Sequence, residues 1–205
     1  MASKRMKIVV VVIVAVAVMG IGFAVGRQMV DKPKAAATSR PAKTPAGFVD
    51  FRDDQAGFAI SYPKDWTRLE ATDTSVVLVA SEKPVAANSG GSILGRVITL
   101  DSPVGAAQLA DAKKVTDEIV TKGEGVELKA QPAAINQGCL PGYFYFYTFK
   151  DATSGQRGAH SHYFLFKDKL MISFVFQAIP DSDFVRLAKT FDDVIGTFRV
   201  LPPKG

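Results

Sequence analysis

Two histidines, two positions apart, are the residues of this sequence best placed to do chemistry. His160 and His162 lie in the segment 159–167, which reads as a β-strand, so both imidazole rings point to the same face. Two imidazoles could bind one metal ion, but a zinc site needs a third ligand. The predicted cross-strand neighbours are Tyr147, Phe149, Val175 and Gln177, and none is a good zinc ligand. We expect two polar residues near the open end of the strand, with metal binding as the alternative.

The chain has one cysteine, Cys139, in what reads as a turn before the aromatic segment 142–150. One cysteine excludes an intramolecular disulfide framework. A nucleophilic thiol needs a base and a group that orients the base. Either histidine could approach Cys139 in the fold, but no carboxylate is evident to orient one. We therefore predict a small buried thiol without a catalytic role.

Three further polar patterns lack the spacing that catalysis or phosphate binding requires. Residues 89–92 read SGGS, without the GxxxxGK(S/T) or GxGxxG frame of a phosphate-binding loop. Neighbours on a helix diverge by ~100°, so neither Asp53 with Asp54 nor Asp192 with Asp193 presents two carboxylates to one substrate. The sequence therefore predicts no catalytic residue and no cofactor.

Four aromatic residues share one face of the predicted strand 142–150, namely Tyr143, Tyr145, Tyr147 and Phe149. The expected role of these side chains is core beneath a helix, because buried aromatic rings dominate the packing of small domains. The alternative is a partly open aromatic surface that holds a lipid, a glycan or a segment of a partner protein.

The pattern after residue 48 predicts one α+β domain. Strands are predicted at residues 57–62, 75–81, 93–100, 126–130, 133–137, 142–150, 159–167 and 170–178, with a loop at 88–91. A tight turn at residues 168–169 pairs Leu165 with Ile172 and leaves both faces of this hairpin apolar. We therefore expect an antiparallel sheet that is covered by helices on both faces.

Two predicted helices supply this cover. The first is predicted to begin at Ser102 and Pro103 and to end near Gly123. Its apolar residues at helical spacing are Leu109, Ala112, Val115 and Ile119. The second is predicted to begin at Asp181 or Ser182 and to end at Gly196. Its apolar residues at helical spacing are Phe184, Leu187, Ala188, Phe191 and Ile195.

The formal net charge of +5 does not indicate nucleic-acid binding, because the positive charge is concentrated near the N-terminus. Residues 1–47 contain eight basic residues and one acidic residue, whereas residues 48–205 contain 17 basic and 19 acidic residues. A mildly acidic domain has no electrostatic reason to collect phosphates. The basic N-terminal region suits a membrane surface that carries anionic lipids.

An uncharged apolar segment runs from Ile8 to Gly26 and reads IVVVVIVAVAVMGIGFAVG. As a helix it would cross most of a ~30 Å hydrocarbon core. Residues 1–26 are therefore predicted to be a short cytoplasmic tail followed by a transmembrane anchor. The alternative is a secretory signal peptide that is cleaved near Gly26, which would release the domain.

The anchor is predicted to leave the N-terminus in the cytoplasm and the C-terminal domain outside. Three basic residues stand directly before the apolar segment, which favours this orientation. Gly22 and Gly26 form a GxxxG pattern, which could allow weak self-association of the anchor in the bilayer. Residues 27–47 are rich in Pro, Ala and Lys and cannot bury a core, so they are predicted to be a disordered linker. The folded domain is predicted to span residues 48–205.

The order of the predicted elements resembles that of PsbP-like domains. Residues 57–66, GFAISYPKDW, resemble the F-x-I-x-Y-P-x-x-W start of these domains, and the two helices and the aromatic hairpin follow the same plan. The family includes an extrinsic photosystem subunit, a nuclear Ran-binding relative and actinobacterial envelope lipoproteins. The resemblance implies an α-β-α sandwich that binds protein partners without catalysis. This chain differs from the lipoproteins in having an apolar anchor and no lipidation cysteine, and no functional residue of the family maps onto it.

The sequence thus predicts a single-pass, membrane-tethered, extracytoplasmic domain. Its predicted function is to bind a protein of the cell envelope or of a membrane complex. The alternative is a carrier or sensor of a small apolar or lipid-like ligand in a pocket between sheet and helix. A hydrolase or metal enzyme, built on Cys139 or the two histidines, is a third hypothesis.

Overall fold

The computed structural model of the chain describes residues 44–82, 89–123 and 125–202. The predicted anchor from Ile8 to Gly26, its Gly22–Gly26 pattern and residues 27–43 of the predicted linker lie outside these ranges. Within the described ranges, no helix is both long and apolar enough to cross a membrane.

The described residues form eleven strands and two α-helices, an α+β arrangement. The strands are β1 (Phe48–Asp53), β2 (Phe58–Pro63), β3 (Thr67–Arg68), β4 (Val76–Ser81), β5 (Gly90–Thr99), β6 (Glu127–Leu128), β7 (Ala133–Gln137), β8 (Leu140–Lys150), β9 (Arg157–Lys167), β10 (Leu170–Ile179) and β11 (Arg199–Val200). The helices are α1 (Leu109–Thr121) and α2 (Phe184–Gly196). All the strand pairs are antiparallel, as the sequence predicts.

The strands divide into a main sheet and a small one. The main sheet has the order β3-β4-β5-β10-β9-β8-β6, with β7 also paired to β8, and the small sheet has the order β1-β2-β11. Every residue of β2 is buried, which agrees with its position at the centre of the small sheet.

Two hydrophobic cores lie on the two faces of the main sheet. The larger core packs β9 and β10 against the small sheet and against α2, through residues such as Phe58, Phe174 and Phe191. The second core packs the opposite face against α1, through residues such as Ala112 and Tyr145. The prediction that the sheet is covered on both faces is therefore confirmed, although a second sheet shares the cover of one face with α2.

The hairpin formed by β9 and β10 has the predicted register. Leu165 pairs with Ile172 across the turn at residues 168–169. Because side chains alternate between faces, this register sends Leu165 and Ile172 to the larger core and Phe164 to the second core. The turn contains Asp168 with a φ of 52°.

Helix α1 begins seven residues after the predicted Ser102, at Leu109, which corrects the prediction. The intervening segment is tied to the β9–β10 turn, because Leu100 donates its N–H to the Lys169 carbonyl (2.7 Å) and Val104 to that of Asp168 (2.9 Å). These bonds hold the chain extended along the turn, so Pro103 cannot start a helix there.

The buried face of α1 also differs from the predicted one. Ala112, Thr116 and Val120 are buried, whereas Val115 and Ile119 are 50% and 42% exposed. The Thr116 hydroxyl lies 2.7 Å from the hydroxyl of the buried Tyr145. The contact between Thr116 and Tyr145 thus orients α1 so that Thr116 faces the sheet. Val115 and Ile119 then face outward.

Helix α2 ends at Gly196 and buries Leu187, Phe191 and Ile195, as predicted. A 3-10 turn at Asp181–Asp183 precedes it. The predicted loop at residues 88–91 is wrong in part, because β5 already begins at Gly90. A Cβ atom at Gly91 would come within 3.0 Å of Leu187 and Trp66, so glycine here permits the close packing of the strand.

Candidate binding surface

The tyrosine face of β8 belongs to the core. Tyr143, Tyr145, Tyr147 and Phe149 are each less than a tenth exposed, and they pack in the core that α1 covers. The predicted role of these four side chains as core beneath a helix is confirmed. The alternative of an open aromatic surface is wrong for this face.

Both histidines lie on this same buried face rather than near an open end of the strand. His160 is 1% exposed and His162 is 6% exposed. Of the predicted neighbours, Tyr147 and Gln177 pair with His160, and Val175 pairs with His162. The sequence therefore identified the neighbouring strands but not the burial.

A chain of hydrogen bonds joins the histidines to three other side chains. The Tyr147 hydroxyl lies 3.1 Å from Nδ1 of both histidines. Nε2 of His160 lies 2.9 Å from Oε1 of Gln177, and Nε2 of His162 lies 2.7 Å from Oγ of Ser173. We call these five residues the histidine network.

The side-chain amide oxygen of Gln177, at one end of the network, determines which nitrogen of each histidine carries a proton. Because Oε1 of Gln177 can only accept, Nε2 of His160 carries a proton and Nδ1 accepts from the Tyr147 hydroxyl. The Tyr147 oxygen then accepts from Nδ1–H of His162, whose Nε2 accepts from the Ser173 hydroxyl. Both rings are satisfied in their neutral form.

The surroundings of the two rings oppose their protonation. Burial lowers the pKa of His160 to about 4, although its hydrogen bond to Gln177 acts in the opposite direction. Burial lowers the pKa of His162 well below its ordinary value, and the charges of His160 and Arg96 contribute to the shift. A second proton on His160 would place two N–H groups against the single Tyr147 oxygen.

The metal-binding alternative has no observation in its favour. Within the part of the chain that the structure describes, no group of three His, Cys, Asp or Glu side chains could hold a metal ion. The polar atoms of the histidine network are already engaged with one another. We interpret the network as a polar part of the core.

Cys139 lies at the tip of the hairpin between β7 and β8, and it is exposed. Gln137 pairs with Leu140, so Gly138 and Cys139 form a two-residue turn in which both have a positive φ, 56° and 68°. The prediction of a buried thiol is wrong, because the turn places this side chain outside the sheet.

The adjacent aspartates act separately. Asp53 accepts the N–H groups that follow it in the β1–β2 turn, whereas Asp54 forms an ion pair with Arg52. Asp193 forms an ion pair with Lys189 (2.6 Å). None of these contacts directs two carboxylates at one point.

A cavity of about 510 Å³ opens at the outer edge of the main sheet. Its lining comes from the last residue of β3 and the three residues after it, 68–71, and from residues 76–79 of β4. The alternative of an apolar-ligand carrier requires a pocket between sheet and helix, so this cavity does not support it.

The opposite face of β8 carries an open aromatic surface. Phe144 and Phe146 of β8, Tyr163 of β9 and Phe184 of α2 are all half-buried, and we call these four residues the aromatic strip. The ring centroids of Phe144 and Tyr163 lie 4.9 Å apart, and those of Phe146 and Phe184 lie 4.8 Å apart. The strip therefore consists of two ring pairs, which share one face of β8 through Phe144 and Phe146.

The flank of α2 beside the strip adds an exposed apolar residue and a carboxylate. Val185, Ala188 and Asp192 have the spacing of one helix flank, and Val185 is 62% exposed. Tyr163 packs against Phe176, which in turn contacts Phe191, the residue before Asp192. Burial raises the pKa of Tyr163, and the charge of Asp192 raises it further. Partial desolvation and then the charge of Asp193 raise the pKa of Asp192, whereas the charge of Lys189 lowers it.

The aromatic strip was missed from the sequence because both faces of β8 are aromatic. The available signal was the alternation of tyrosine and phenylalanine in YFYFYTF. The hydroxyl groups of Tyr143 and Tyr145 bind α1, and that of Tyr147 binds the histidines. Phe144 and Phe146 have no such requirement, and they occupy the more open face.

Three solved structures are similar to this chain in fold. The cyanobacterial PsbP protein CyanoP of Synechocystis sp. PCC 6803 matches 79% of this chain and 97% of its own, at 15% identity and a TM-score of 0.56. LpqN of Mycobacterium tuberculosis, a protein involved in cell envelope biogenesis, matches 71% of this chain and 83% of its own, at 12% identity and a TM-score of 0.56. The yeast Ran-binding protein Mog1p, from Saccharomyces cerevisiae, matches 75% of this chain and 95% of its own, at 10% identity and a TM-score of 0.51.

The fold class follows from these likenesses. The described part of the chain is a domain of the PsbP-like fold, as the order of its elements predicts. No family model and no curated protein matches the sequence. At 10–15% identity the similar structures show the fold alone, so the function must be argued from the surface of this chain.

Proposed function

We propose that this chain is a non-catalytic PsbP-like binding domain, tethered outside the membrane by its N-terminal segment. Its partner is a protein of the cell envelope or of a membrane complex, and the aromatic strip is the surface that binds it. The observation that carries this proposal is the group of four half-buried aromatic rings, which form two contacting pairs, one between β8 and β9 and one between β8 and α2.

Half-buried aromatic side chains are suited to binding a protein. They bring a large apolar area to an interface at a small cost in conformational entropy, and binding energy is concentrated at such residues. The strip is also held rigidly, because Phe184 contacts the buried Phe191 and Tyr163 contacts the buried Phe176. A partner would therefore meet a surface that is already ordered.

The exposed apolar side chains of α1 form a weaker surface. Val115 and Ile119 project from α1 as two aliphatic residues, and neither belongs to a cluster of rings. Scattered apolar residues are usual on soluble proteins, whereas a contiguous patch marks an interaction site. This difference favours the aromatic strip and makes Val115 a suitable control position.

The predicted N-terminal anchor favours the cell envelope as the place where this domain acts. The uncharged segment from Ile8 to Gly26, with basic residues before it, has the pattern of an anchor that leaves the following domain outside. Confinement to the membrane surface raises the effective concentration for a membrane partner. If the segment is instead cleaved near Gly26, the same domain would act as a secreted protein.

Photo-crosslinking in cells tests the proposed surface. A photoreactive amino acid at Val185, which is 62% exposed beside the strip, is expected to form an adduct with one envelope protein. The same group at Val115, which is 50% exposed on α1, is expected to give at least tenfold less of that adduct. Truncation of one ring in the Phe146→Ala variant should weaken the Val185 adduct, because binding at hot spots depends on such rings.

The fluorescence of Trp66, which is 8% exposed, checks that each variant is folded. Two results would contradict binding of a protein by the aromatic strip. One is an equal adduct yield at Val185 and Val115, and the other is an adduct at Val185 with lipid alone. A Val185 adduct that the folded Phe146→Ala variant leaves unchanged would also contradict it.

A further inference from the structure

One carboxylate at the rim of the aromatic strip has no partner of its own. Among the described residues, Asp192 makes no hydrogen bond and no ion pair, whereas the adjacent Asp193 pairs with Lys189 (2.6 Å). The two aspartates are neighbours in sequence, yet only one is neutralised on the helix. Asp192 is thus available to a charge that comes from outside the domain.

The cations near the strip are already engaged. Lys189 pairs with Asp193, and Arg186 pairs with both Glu82 and Asp183 at the start of α2. Lys129, whose backbone N–H binds the Phe146 carbonyl, pairs with Glu127 through its side chain, 2.8 Å from Nζ to Oε1. None of these three cations therefore forms an ion pair with Asp192.

Aromatic rings and a carboxylate together define the chemistry of the partner. The faces of Phe and Tyr rings attract Arg and Lys, and the attraction grows when water is excluded. A carboxylate beside the rings adds an ion pair, and arginine can both stack on a ring and bind a carboxylate through two N–H groups. Such a surface repels the phosphates of nucleic acids and of anionic lipids.

We propose that the partner is a protein segment that places an arginine or lysine side chain, flanked by apolar residues, over the aromatic strip and against Asp192. This inference rests on the proposed function and deepens it, because it states what the partner must present. Apolar contacts with the strip supply the attraction, and Asp192 selects the cationic segment.

The test compares two adjacent aspartates in the full-length chain in its own membrane. The photoreactive group is placed at Val185, and the partner adduct is measured in the Asp192→Asn and Asp193→Asn variants. Asp192→Asn is expected to lower the adduct yield on the order of tenfold, as loss of one charge in a partly desolvated pair does. Asp193→Asn, which removes a carboxylate already paired with Lys189, is expected to change it less than twofold.

Two further measurements complete the test. Mass spectrometry is expected to place the adduct within a few residues of an arginine or lysine of the partner. Raising the salt concentration is expected to weaken the adduct of the unchanged chain more than that of Asp192→Asn, because salt screens the ion pair.

The outcomes separate this inference from the proposed function. Equal yields in Asp192→Asn and Asp193→Asn, with the Val185 adduct retained, would overturn the role of Asp192 while protein binding stands. An adduct that maps to residues 27–43 of the same chain, or to lipid, would overturn both.

Discussion

Lowering the pH from 7 to 5 is expected to reduce the free energy of unfolding of the domain by about 4 kcal/mol. Each histidine has a lowered pKa in the folded state, so the unfolded chain takes up protons first, as the pH falls below the ordinary value of about 6.5. The loss is roughly 1.4 kcal/mol per pH unit for each ring, until the pH approaches the folded pKa of that ring. The stability that neutral histidines provide is therefore complete above pH 6.5 and falls between pH 6.5 and about 4.

The composition of the chain makes this test specific. His160 and His162 are the only histidines among the 205 residues. The carboxylates with lowered pKa, such as Asp50 and Asp117, lose their contribution at more acidic pH, from the ordinary pKa of 3.8 downwards. Proton uptake between pH 6.5 and 5 should therefore come from the histidine network.

Urea unfolding of the full-length chain in detergent, followed by Trp66 fluorescence, measures the effect. Trp66 is the only tryptophan, and its ring packs against Phe191 in the larger core. A His162→Gln variant is expected to show about half the dependence on pH, whatever its stability at pH 7. A stability that stays level from pH 7 to 5 would contradict the buried, neutral network.

Replacement of Gly142 by alanine is expected to destabilise the domain by about 3 kcal/mol or more. Gly142 lies in β8 opposite Leu165 of β9. A Cβ atom there would overlap the carbonyl oxygen of Phe164, and this neighbour is backbone that cannot rotate away. The two strands would have to separate next to Phe144, one of the residues of the aromatic strip.

Gly196→Ala is the matched control for this replacement. Gly196 is the last residue of α2, and nothing lies within 4 Å of the position that its Cβ would take. Alanine there should leave the stability unchanged or raise it by about 0.5–1 kcal/mol. Urea midpoints of Gly142→Ala and Gly196→Ala that agree within error would show that β8 and β9 are not packed as described.

The hairpin of β9 and β10 shows what the sequence could predict. Its two-residue turn fixes one register that pairs apolar residues on both faces, so Leu165 could be paired with Ile172 in advance. The prediction that helices cover both faces of the sheet rested on the same two apolar faces of the hairpin. The order of the elements then identified the PsbP-like fold.

Helix α1 shows where local patterns were insufficient. Its predicted start failed because Leu100 and Val104 bind the β9–β10 turn, which is more than sixty residues away in sequence. Its predicted buried face failed because the Tyr145 hydroxyl requires Thr116 as a partner in the core. Tertiary hydrogen bonds determine both the start of α1 and its buried face. The spacing of apolar residues in the sequence does not indicate such bonds.

The candidate surface was missed for a similar reason. Strand β8 has large aromatic residues on both faces, so alternation alone could not show which face is open. The tyrosines satisfy their hydroxyl groups beneath α1 and at the histidines, and this leaves Phe144 and Phe146 on the outer face. Cys139 was placed in the core on the general preference of cysteine, and the turn geometry overrides that preference.

We expect the domain to lie outside the membrane, tethered where a partner can reach the aromatic strip. Cys139 tests it most directly, because it is the only cysteine of the chain and is exposed at a hairpin tip. A membrane-impermeant maleimide added to intact cells is expected to label the full-length chain in the membrane fraction, and to leave a Cys139→Ser variant unlabelled. Labelling that appears only after the cells are broken would place the domain in the cytoplasm and contradict the proposed function.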